Sequence, residues 1–467
     1  MKKTLLAAAV FAAVSVYADG PKYTFLFIGD GMSVPQRMTA NEFSIKTTGK
    51  SLAMSELPVS ALARSRSADS LVTDSAAAAT AIACGVKTKN HFSGVDPEGE
   101  PLVSCAEVAK KAGRKVGIMS SVTITHATPA GFYAHRKSRG DTFGIATDLA
   151  NSGFEFFAGG GLSVKDEASP SNRYDYAVSK GYNLIKTRAE FAALKPGCGK
   201  ILTKFTNGCL ENSIDRDDTF DQPVLKDIVA KAIEVLDNEK GFFIMCEGGR
   251  IDWAGHGNDA ATNLRDILAL DEAVKVALAF QEKHPDDTLV IVTGDHETGG
   301  LSMGFAGTGY QLYTENLAFQ TMSVGKFNNE VKKVFKEKKA DVEFEDVMPL
   351  LTKAFGFRFE EKEGADGLVL KKDEIKTLKK AFKHDVKLLK EGVKETDDYM
   401  AKLRYTLGNE CRTIIAHRSG IDWTCGNHTA LPVLTTAKGF GAEKFSGFYE
   451  NTEIGNRLKA MFADEIK

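Results

Sequence analysis

The sequence predicts an α/β protein, a three-layer α/β/α sandwich in which helices cover both faces of a central, largely parallel sheet. Short apolar runs, each typical of a buried strand, alternate along the chain with longer segments of helical periodicity. Glycine-rich turns and charged side chains follow several of these runs. In such sheets ligands bind at the carboxyl ends of the strands, so we expect the functional site in those turns.

The apolar runs that we assign to strands are about five residues long, as buried strands usually are. In chain order they are Tyr23–Ile28, Lys115–Met119, Phe154–Ala158, Phe242–Cys246 and Thr288–Val292. The segments that we assign to helices have apolar residues at the interval of a helix with one buried face. They include Val103–Ala112, Val224–Leu236 and Ala260–Phe280.

Residues 326–412 differ in composition from the rest of the chain. They are rich in Lys and Glu, with helical patterns at Val347–Phe355 and Lys372–Leu407. Pro349 falls in the predicted first turn of the shorter helix, where a missing amide proton removes no hydrogen bond. We predict a cap-like helical insert with solvated charged faces, within one domain of residues 19–467. The alternative is an interaction surface, such as a substrate-access lid or a dimer contact.

An export signal precedes the predicted domain. Lys2 and Lys3 form a basic start, Thr4–Val16 is apolar, and small residues flank Tyr17 at the end of that run. This pattern predicts a signal peptide over residues 1–18, cut after Ala18, and a periplasmic or secreted mature protein. The apolar run is shorter than the ~20 residues of a membrane helix, so we expect no membrane span.

The overall composition excludes several classes of protein. The 467 residues are 43% hydrophobic and 26% charged with a net charge of −2, which indicates an ordinary globular protein without a basic field for nucleic acid. Seven cysteines in an exported chain suggest disulfides, and the pairs Cys198–Cys209 and Cys411–Cys425 are candidates. Cysteine-rich zinc sites are not expected, because the sequence has no CxxC motif.

Charged residues follow three of the predicted strands. Asp30 comes after the first strand, Glu247 directly follows Phe242–Cys246, and Asp295 and His296 follow the fifth strand. A single acidic residue at a strand end is usually a turn or capping residue. Because the carboxyl ends of parallel strands meet at one edge of the sheet, we expect these side chains to converge.

Asp252 and His256 stand four residues apart, so one helical turn places both on the same face, where they can bind one metal ion. A surface Asp–His contact is the alternative for such a pair. The pair begins five residues beyond Glu247 and is flanked by glycines that allow close backbone approach, which favours a metal site. His428 is a lone loop histidine that could complete it.

Ser75 lies at the start of an alanine-rich segment that ends at Gly85 and predicts a helix. In the simpler interpretation, Asp74 or Ser75 caps the helix. In the functional one, the helix N-terminus stabilises a Ser75 alkoxide or a bound phosphate. No GxSxG elbow surrounds the serine, so a metal ion is the activator we expect.

Four motifs agree in order with one family. The chain resembles the alkaline phosphatases, secreted homodimeric metalloenzymes that hydrolyse phosphate monoesters. The motifs are Gly29-Asp30-Gly31-Met32, Thr73-Asp74-Ser75-Ala76, His126-Ala127-Thr128-Pro129 and Thr293-Gly294-Asp295-His296. The resemblance implies a homodimer, small-molecule phosphate monoesters as substrates, and hydrolysis in two steps through a phosphoserine. It also implies two Zn²⁺ and one Mg²⁺ per chain.

The resemblance assigns roles to the residues already singled out. Ser75 corresponds to the nucleophile. The implied ligands of the first zinc are Asp252, His256 and His428, and those of the second are Asp30, Asp295 and His296. The implied ligands of the magnesium ion are Asp30, Thr128 and Glu247, all of them oxygen donors as Mg²⁺ prefers. Arg139 corresponds to the arginine that binds two phosphate oxygens, and the nearby Arg136 is the alternative for this role.

His126 and Trp253 depart from the enteric bacterial form of the family, which has Asp and Lys at these positions. His126 and Trp253 would both act near phosphate or the third metal. Because Trp253 replaces the Lys of the enteric form, phosphate binding should be weaker. The functional alternatives are a phosphodiesterase or sulfatase of the same superfamily and, less favoured, a non-catalytic periplasmic protein that binds phosphate or metal. A serine nucleophile and a third metal set favour monoesters.

Overall fold

In this computed structural model, the described residues are 20–163, 172–217, 220–361, 367–391 and 406–463. The predicted signal peptide lies outside them. The helices are α1 (Val34–Thr48), α2 (Ser75–Cys84), α3 (Cys105–Lys111), α4 (Ala127–Ala130), α5 (Thr142–Asn151), α6 (Arg173–Ser179), α7 (Arg188–Ala192), α8 (Leu225–Leu236), α9 (Arg250–His256), α10 (Ala260–Gln281), α11 (Val324–Lys338), α12 (Phe344–Phe355), α13 (Lys372–Lys390), α14 (Thr406–Ser419) and α15 (Thr452–Ala463).

The strands are β1 (Tyr23–Gly29), β2 (Val59–Arg64), β3 (Lys115–Ser120), β4 (Phe156–Ala158), β5 (Tyr182–Ile185), β6 (Lys200–Thr203), β7 (Phe242–Gly248), β8 (Thr288–Gly294), β9 (Glu297–Thr298), β10 (Leu301–Met303), β11 (Phe357–Arg358), β12 (Leu368–Val369), β13 (Ile421–Trp423), β14 (His428–Thr429), β15 (Val433–Gly439) and β16 (Gly447–Glu450). Within the described residues, ten of them form one sheet in the order β16-β2-β15-β8-β1-β7-β3-β4-β6-β5. Neighbouring strands are parallel, except that β15 is antiparallel to β2 and β8. The predicted largely parallel sheet is confirmed.

Two hydrophobic cores lie on opposite faces of this sheet. Strand β1 is buried along its whole length, and its alternate side chains serve the two cores: Phe25 and Phe27 join one, Leu26 and Ile28 the other. This is the alternation that a strand buried on both faces requires. Helices α1, α8 and α10 cover the first core, and α2, α3, α5 and α15 cover the second. The three-layer α/β/α architecture is therefore confirmed.

The segment predicted as an insert contains α11, α12, α13 and the start of α14. Its interior is aromatic, since the rings of Phe335 and Phe344 each lie 5.7 Å from that of Phe382. This apolar interior is continuous with the core under α1, α8 and α10. The lysines of α13, by contrast, are exposed. The boundaries 326–412 stay a prediction, since the helices that form this unit run from Val324 to Ser419.

Two details of the insert were predicted incorrectly. The helix expected over Lys372–Leu407 ends at Lys390, and α14 begins at Thr406; residues 392–405 lie outside the described residues. Helix α12 begins before Val347, because Glu343 and Asp346 form a capping box that sets its start at Phe344. Pro349 therefore lies beyond the first turn.

Neither of the two candidate disulfides is formed. All seven cysteines, each of which lies within the described residues, are free thiols. The Cys425 thiol donates to the carbonyl of Asn427 at 3.2 Å, and the Cys198 thiol lies 3.9 Å from the carbonyl of Gly199. Cys411 is buried in α14, where burial raises the pKa of its thiol well above the usual range. Sequence spacing alone does not bring two sulfur atoms into bonding distance.

Candidate active site

Three strand ends meet at one edge of the sheet. Gly29 at the end of β1 pairs with Gly248 of β7 and with Gly294 of β8, so the residues that follow are level with one another. The turn after β1 requires glycine at position 31, since its φ is +71° and a Cβ there would lie 2.9 Å from the backbone of Asp252. The Gly31 amide donates to Asp295 Oδ1 at 3.1 Å. The predicted convergence of the strand-end residues is observed.

The first metal cluster consists of Asp252, His256 and His428. Asp252 and His256 share one face of α9, with His256 Nε2 3.4 Å from Asp252 Oδ2. His428 comes from β14, which pairs with β9, and its Nε2 lies 3.5 Å from Asp252 Oδ1 and 3.2 Å from His256 Nε2. Both rings have their Nδ1 atoms 2.8 Å from a backbone carbonyl, so each Nδ1 donates and both Nε2 atoms point at the carboxylate.

The second metal cluster consists of Asp30, Asp295 and His296, all fully buried. His296 Nε2 lies 3.3 Å from Asp30 Oδ1 and 3.4 Å from Asp295 Oδ2. The hydroxyl of Ser75 is 3.1 Å from the same nitrogen. The serine is therefore in direct contact with this cluster.

The third metal cluster consists of Asp30, His126 and Glu247. His126 Nδ1 is 3.8 Å from Asp30 Oδ2 and 3.8 Å from Glu247 Oε1. The hydroxyl of Thr128 donates to Asp30 Oδ2 at 3.4 Å, which places all the residues expected at the magnesium site together. His126, which we expected only to act nearby, is itself a member of this cluster.

Orphaned polar atoms show that these clusters fit cations. In the described residues, Asp30 Oδ1, Asp295 Oδ2, Glu247 Oε1 and His126 Nδ1 are buried with no hydrogen-bond partner. Leaving such atoms unsatisfied is costly, because each has lost its hydration. A divalent cation bound to carboxylate and imidazole would remove that cost, and this mixture of ligands suits Zn²⁺.

The protonation behaviour of the clusters is also strongly perturbed. Burial, then the neighbouring carboxylates of Asp295 and Asp252, raises the pKa of Asp30 well above its usual range. Burial likewise raises the pKa of Asp295 to about 7. Burial, followed by the charge of His428, lowers the pKa of His296 well below its usual range. In the first metal cluster burial lowers the pKa of His256, but Asp252 outweighs it and raises that pKa to about 9.

Ser75 is the first residue of α2, and Asp74 is its N-cap, accepting a hydrogen bond from the Ala77 amide at 3.0 Å. The capping interpretation is confirmed for Asp74, and the functional interpretation of Ser75 stays a prediction. The alanine-rich helix is fully buried and ends at Gly85, whose φ of +71° is the left-handed C-cap conformation. The serine hydroxyl thus stands at a helix N-terminus beside the second metal cluster.

Arg139 contacts Asp74, the residue before Ser75, whereas Arg136 pairs with Asp148. Arg139 Nη1 donates to Asp74 Oδ2 at 3.0 Å, and its Nη2 lies 3.3 Å from His126 Nε2. Arg136 is held by Asp148 at 2.5 Å, on the side of α5. Of the two candidates, only Arg139 adjoins the residue that precedes Ser75.

The sequence interpretation missed two neighbours of the predicted residues. Thr298 donates to Asp252 Oδ1 at 2.5 Å and lies 3.3 Å from His296 Nδ1, so it links the first two clusters. Arg250 lies over the ring of Trp253 at 5.2 Å, and that ring is 6.1 Å from the ring of His126. The sequence did contain a signal for each residue. Thr298 belongs to the polar run that continues Asp295-His296, and Arg250 lies between the predicted metal ligands Glu247 and Asp252.

Comparison with known proteins agrees with this geometry. The family model described as "Alkaline phosphatase" matches residues 22–154 and 165–463. The chain belongs to the alkaline phosphatase family. As an alkaline phosphatase it is a phosphoric monoester hydrolase, and the phosphodiesterase, sulfatase and non-catalytic alternatives are not favoured. In the described residues, no helix has the length and apolar character needed to cross a membrane.

Named relatives extend over most of the chain. Alkaline phosphatase 3 of Bacillus subtilis is 34% identical over 398 residues, covering 84% of this chain and 77% of that protein. The cold-active alkaline phosphatase of a psychrophilic Shewanella species is similar with a TM-score of 0.78 and 28% identity, over 94% of this chain and 99% of that one. A variant of the alkaline phosphatase from the Antarctic bacterium TAB5, with a histidine replaced by aspartate, has Mg bound in its M3 site. This variant is 25% identical to the present chain, with a TM-score of 0.65, over 95% of this chain and 98% of that one.

Proposed function

We propose that Ser75 is the nucleophile with which this phosphatase hydrolyses phosphate monoesters, through a covalent phosphoserine. The observation that carries the proposal is the contact of 3.1 Å between the Ser75 hydroxyl and His296 Nε2 in the second metal cluster. The position of Ser75 at the N-terminus of α2 also favours an anionic oxygen and a bound phosphoryl group. The low pKa of His296 keeps its ring neutral. Because the Thr298 hydroxyl donates to Asp252 and can accept from His296 Nδ1, Nε2 is the nitrogen available as a ligand.

The reaction would proceed by two displacements at phosphorus. Ser75 Oγ attacks, the ester P–O bond breaks, and the alcohol leaves with a proton. Water then attacks the phosphoserine, the P–Oγ bond breaks, and inorganic phosphate and free Ser75 result. Arg139 would donate two parallel hydrogen bonds to phosphoryl oxygens, since its planar guanidinium is held by Asp74 next to Ser75.

Two Zn²⁺ and one Mg²⁺ per chain are the proposed cofactors. The zinc ligands would be the first and second metal clusters, and the magnesium ligands would be Asp30, Thr128 and Glu247. When bound, the ions would supply positive charge that favours the ionised serine and neutralises the phosphoryl oxygens. His126 introduces a nitrogen donor near both carboxylates of the third cluster. Variants of the TAB5 enzyme in which a histidine is replaced by aspartate or glutamate have Mg bound in the M3 site. We propose that His126 is the corresponding histidine in this chain and that it weakens the preference of this site for Mg²⁺.

The substrate class and the nucleophile are tested together. The purified protein should hydrolyse p-nitrophenyl phosphate far faster than bis(p-nitrophenyl) phosphate or p-nitrophenyl sulfate. The Ser75→Ala variant should bind the same metal content but form no covalent phosphoenzyme in an acid-quench experiment with ³²P-labelled substrate. A phosphoenzyme that persists in the Ser75→Ala variant would contradict the assignment.

Export and dimerisation belong to the same proposal. N-terminal sequencing of the mature protein should begin at Asp19, the residue after the predicted cleavage site. Light scattering should give about twice the mass of one chain if the mature protein is a homodimer. A monomer mass at micromolar concentration would contradict the dimer.

A further inference from the structure

Two cavities meet on the exposed side of α9. One, which we call the phosphate cleft, has a volume of about 340 Å³ and is lined by His126, Arg139, Arg250 and Trp253 among others. The other, which we call the α9–α11 pocket, has a volume of about 310 Å³ and extends between α9 and the insert helix α11. Arg250 and Trp253 line both cavities. The side chain of Arg250 can therefore be contacted from the phosphate cleft as well as from the pocket.

Arg250 differs from the other two arginines of the region. Arg139 is paired with Asp74 and Arg136 with Asp148. Arg250 is half-buried; its Nε donates to the carbonyl of Leu210 at 2.7 Å and its guanidinium stacks on Trp253. Among the described residues, no carboxylate lies within ion-pair distance of it. Partly buried cations are normally paired, so a half-buried guanidinium of this kind is suited to an anionic ligand.

The far wall of the pocket comes from the insert. Asn328 and Lys332 lie one turn apart on α11 and both line the pocket. Asp259 also lines it, but its two oxygens accept hydrogen bonds from Thr262, Gln320 and the Val324 amide. These bonds hold the start of α11 against the start of α10 at this wall of the pocket. Its walls offer amides to a ligand beside the guanidinium of Arg250, and Asp259, the one carboxylate of the lining, is already hydrogen-bonded.

We propose that the α9–α11 pocket is a subsite for the alcohol part of the substrate, and that Arg250 selects phosphate monoesters whose alcohol carries a second anionic group. This inference rests on the proposed function, because it places the phosphoryl group between Ser75 and Arg139. The ring of Trp253 then provides an apolar surface for the middle of the alcohol. A carboxylate or phosphate beyond it reaches the guanidinium of Arg250, whose parallel donors match both groups.

The test is a pair of substrates matched in size and in leaving-group acidity. 4-(2-Carboxyethyl)phenyl phosphate carries the second anion, and its carboxamide analogue does not. The wild-type protein should have a kcat/KM about tenfold higher for the carboxylate, as expected for one charge-assisted hydrogen bond. Added salt should reduce that preference, because a half-buried pair is partly screened.

Two variants separate the subsite from general charge effects. Arg250→Gln should bring the carboxylate-to-amide ratio close to one. Arg216→Gln removes the same charge from a half-buried arginine that lies outside the α9–α11 pocket, beside Gln222, and should keep the ratio of the wild type. A wild-type ratio of one, or an unchanged ratio in Arg250→Gln, would overturn the subsite while the monoesterase function stands. If the wild type hydrolyses neither ester, the proposed function fails and the subsite with it. Should Arg250→Gln not fold, the wild-type ratio and its salt dependence decide the question.

Discussion

Replacing Asp295 by Asn should stabilise the metal-free protein while impairing the enzyme. Asp295 Oδ1 accepts hydrogen bonds from the amides of Gly31 and His296 at 3.1 and 2.9 Å, and an asparagine oxygen can accept both. Asp295 Oδ2 has no hydrogen-bond partner among the described residues and points at the second metal cluster. An amide nitrogen there would face His296 Nε2, which lies 3.4 Å from Asp295 Oδ2. The substitution therefore removes a buried charge and leaves the backbone contacts in place.

The magnitude follows from the pKa of Asp295, which rises from an ordinary 3.8 to about 7 in the folded protein. Below both values the carboxyl is protonated in the folded and the unfolded chain, and ionisation has no effect on stability. As the pH rises, the unfolded chain ionises first, so the free energy of unfolding falls until the folded carboxyl ionises. The loss is about 1.36 kcal/mol per pH unit between the two pKa values, or about 4 kcal/mol in total.

The assay is urea denaturation of chelator-treated protein. Asp295→Asn should increase the free energy of unfolding by about 2 kcal/mol near pH 5 and by about 4 kcal/mol near pH 8. Asp286→Asn, which removes an exposed carboxylate, should change it by less than ~0.5 kcal/mol at either pH. A gain for Asp295→Asn that is the same at both pH values, or a loss near pH 8, would refute the reasoning.

Three further predictions concern phosphate and metal binding. Arg139→Ala should lower kcat/KM for p-nitrophenyl phosphate about a hundredfold. Arg136→Ala should lower it far less, because it breaks only the ion pair with Asp148. The double variant His126→Asp, Trp253→Lys should bind inorganic phosphate more tightly, and an unchanged inhibition constant would refute the expectation that loss of the Lys weakens phosphate binding. Zinc affinity, measured by competition with a chelator, should fall as the pH drops below about 9, because protons compete for His256 Nε2; a pH-independent affinity would exclude that nitrogen as a ligand.

The sequence predicted the parts of the fold whose residues are locally patterned. The five strands predicted from apolar runs are present as β1, β3, β4, β7 and β8, with ends shifted by one or two residues. The charged residues at three strand ends converge because a parallel sheet aligns those ends, which needs no knowledge of side-chain contacts. Asp252 and His256 share a face because they are one helical turn apart. Resemblance to a family added the roles, which local patterns do not contain.

Features that depend on distant pairing were not predicted. Strand β15 enters between β2 and β8 in the opposite direction, and nothing within its own seven residues shows which strands it will meet. Thr298 acquires its position because β9 pairs with β14, far along the chain. The cysteine spacings suggested bonds that the packing of Cys411 inside a helix does not allow. Arg250 gains its significance from a cavity completed by α11, a contact between segments that are remote in sequence.

The central claim is that the three metal clusters hold cations around Ser75, and anomalous X-ray scattering at the zinc edge tests it most directly. In crystals of the active protein, we predict one strong peak within the first metal cluster and one within the second, with the Ser75 hydroxyl beside the second. At the third cluster, the proposed Mg²⁺ gives no zinc signal, whereas a zinc peak there would mean that His126 has shifted the preference of the site to Zn²⁺. Active protein whose crystals show no anomalous peak at the first or second cluster would contradict the account.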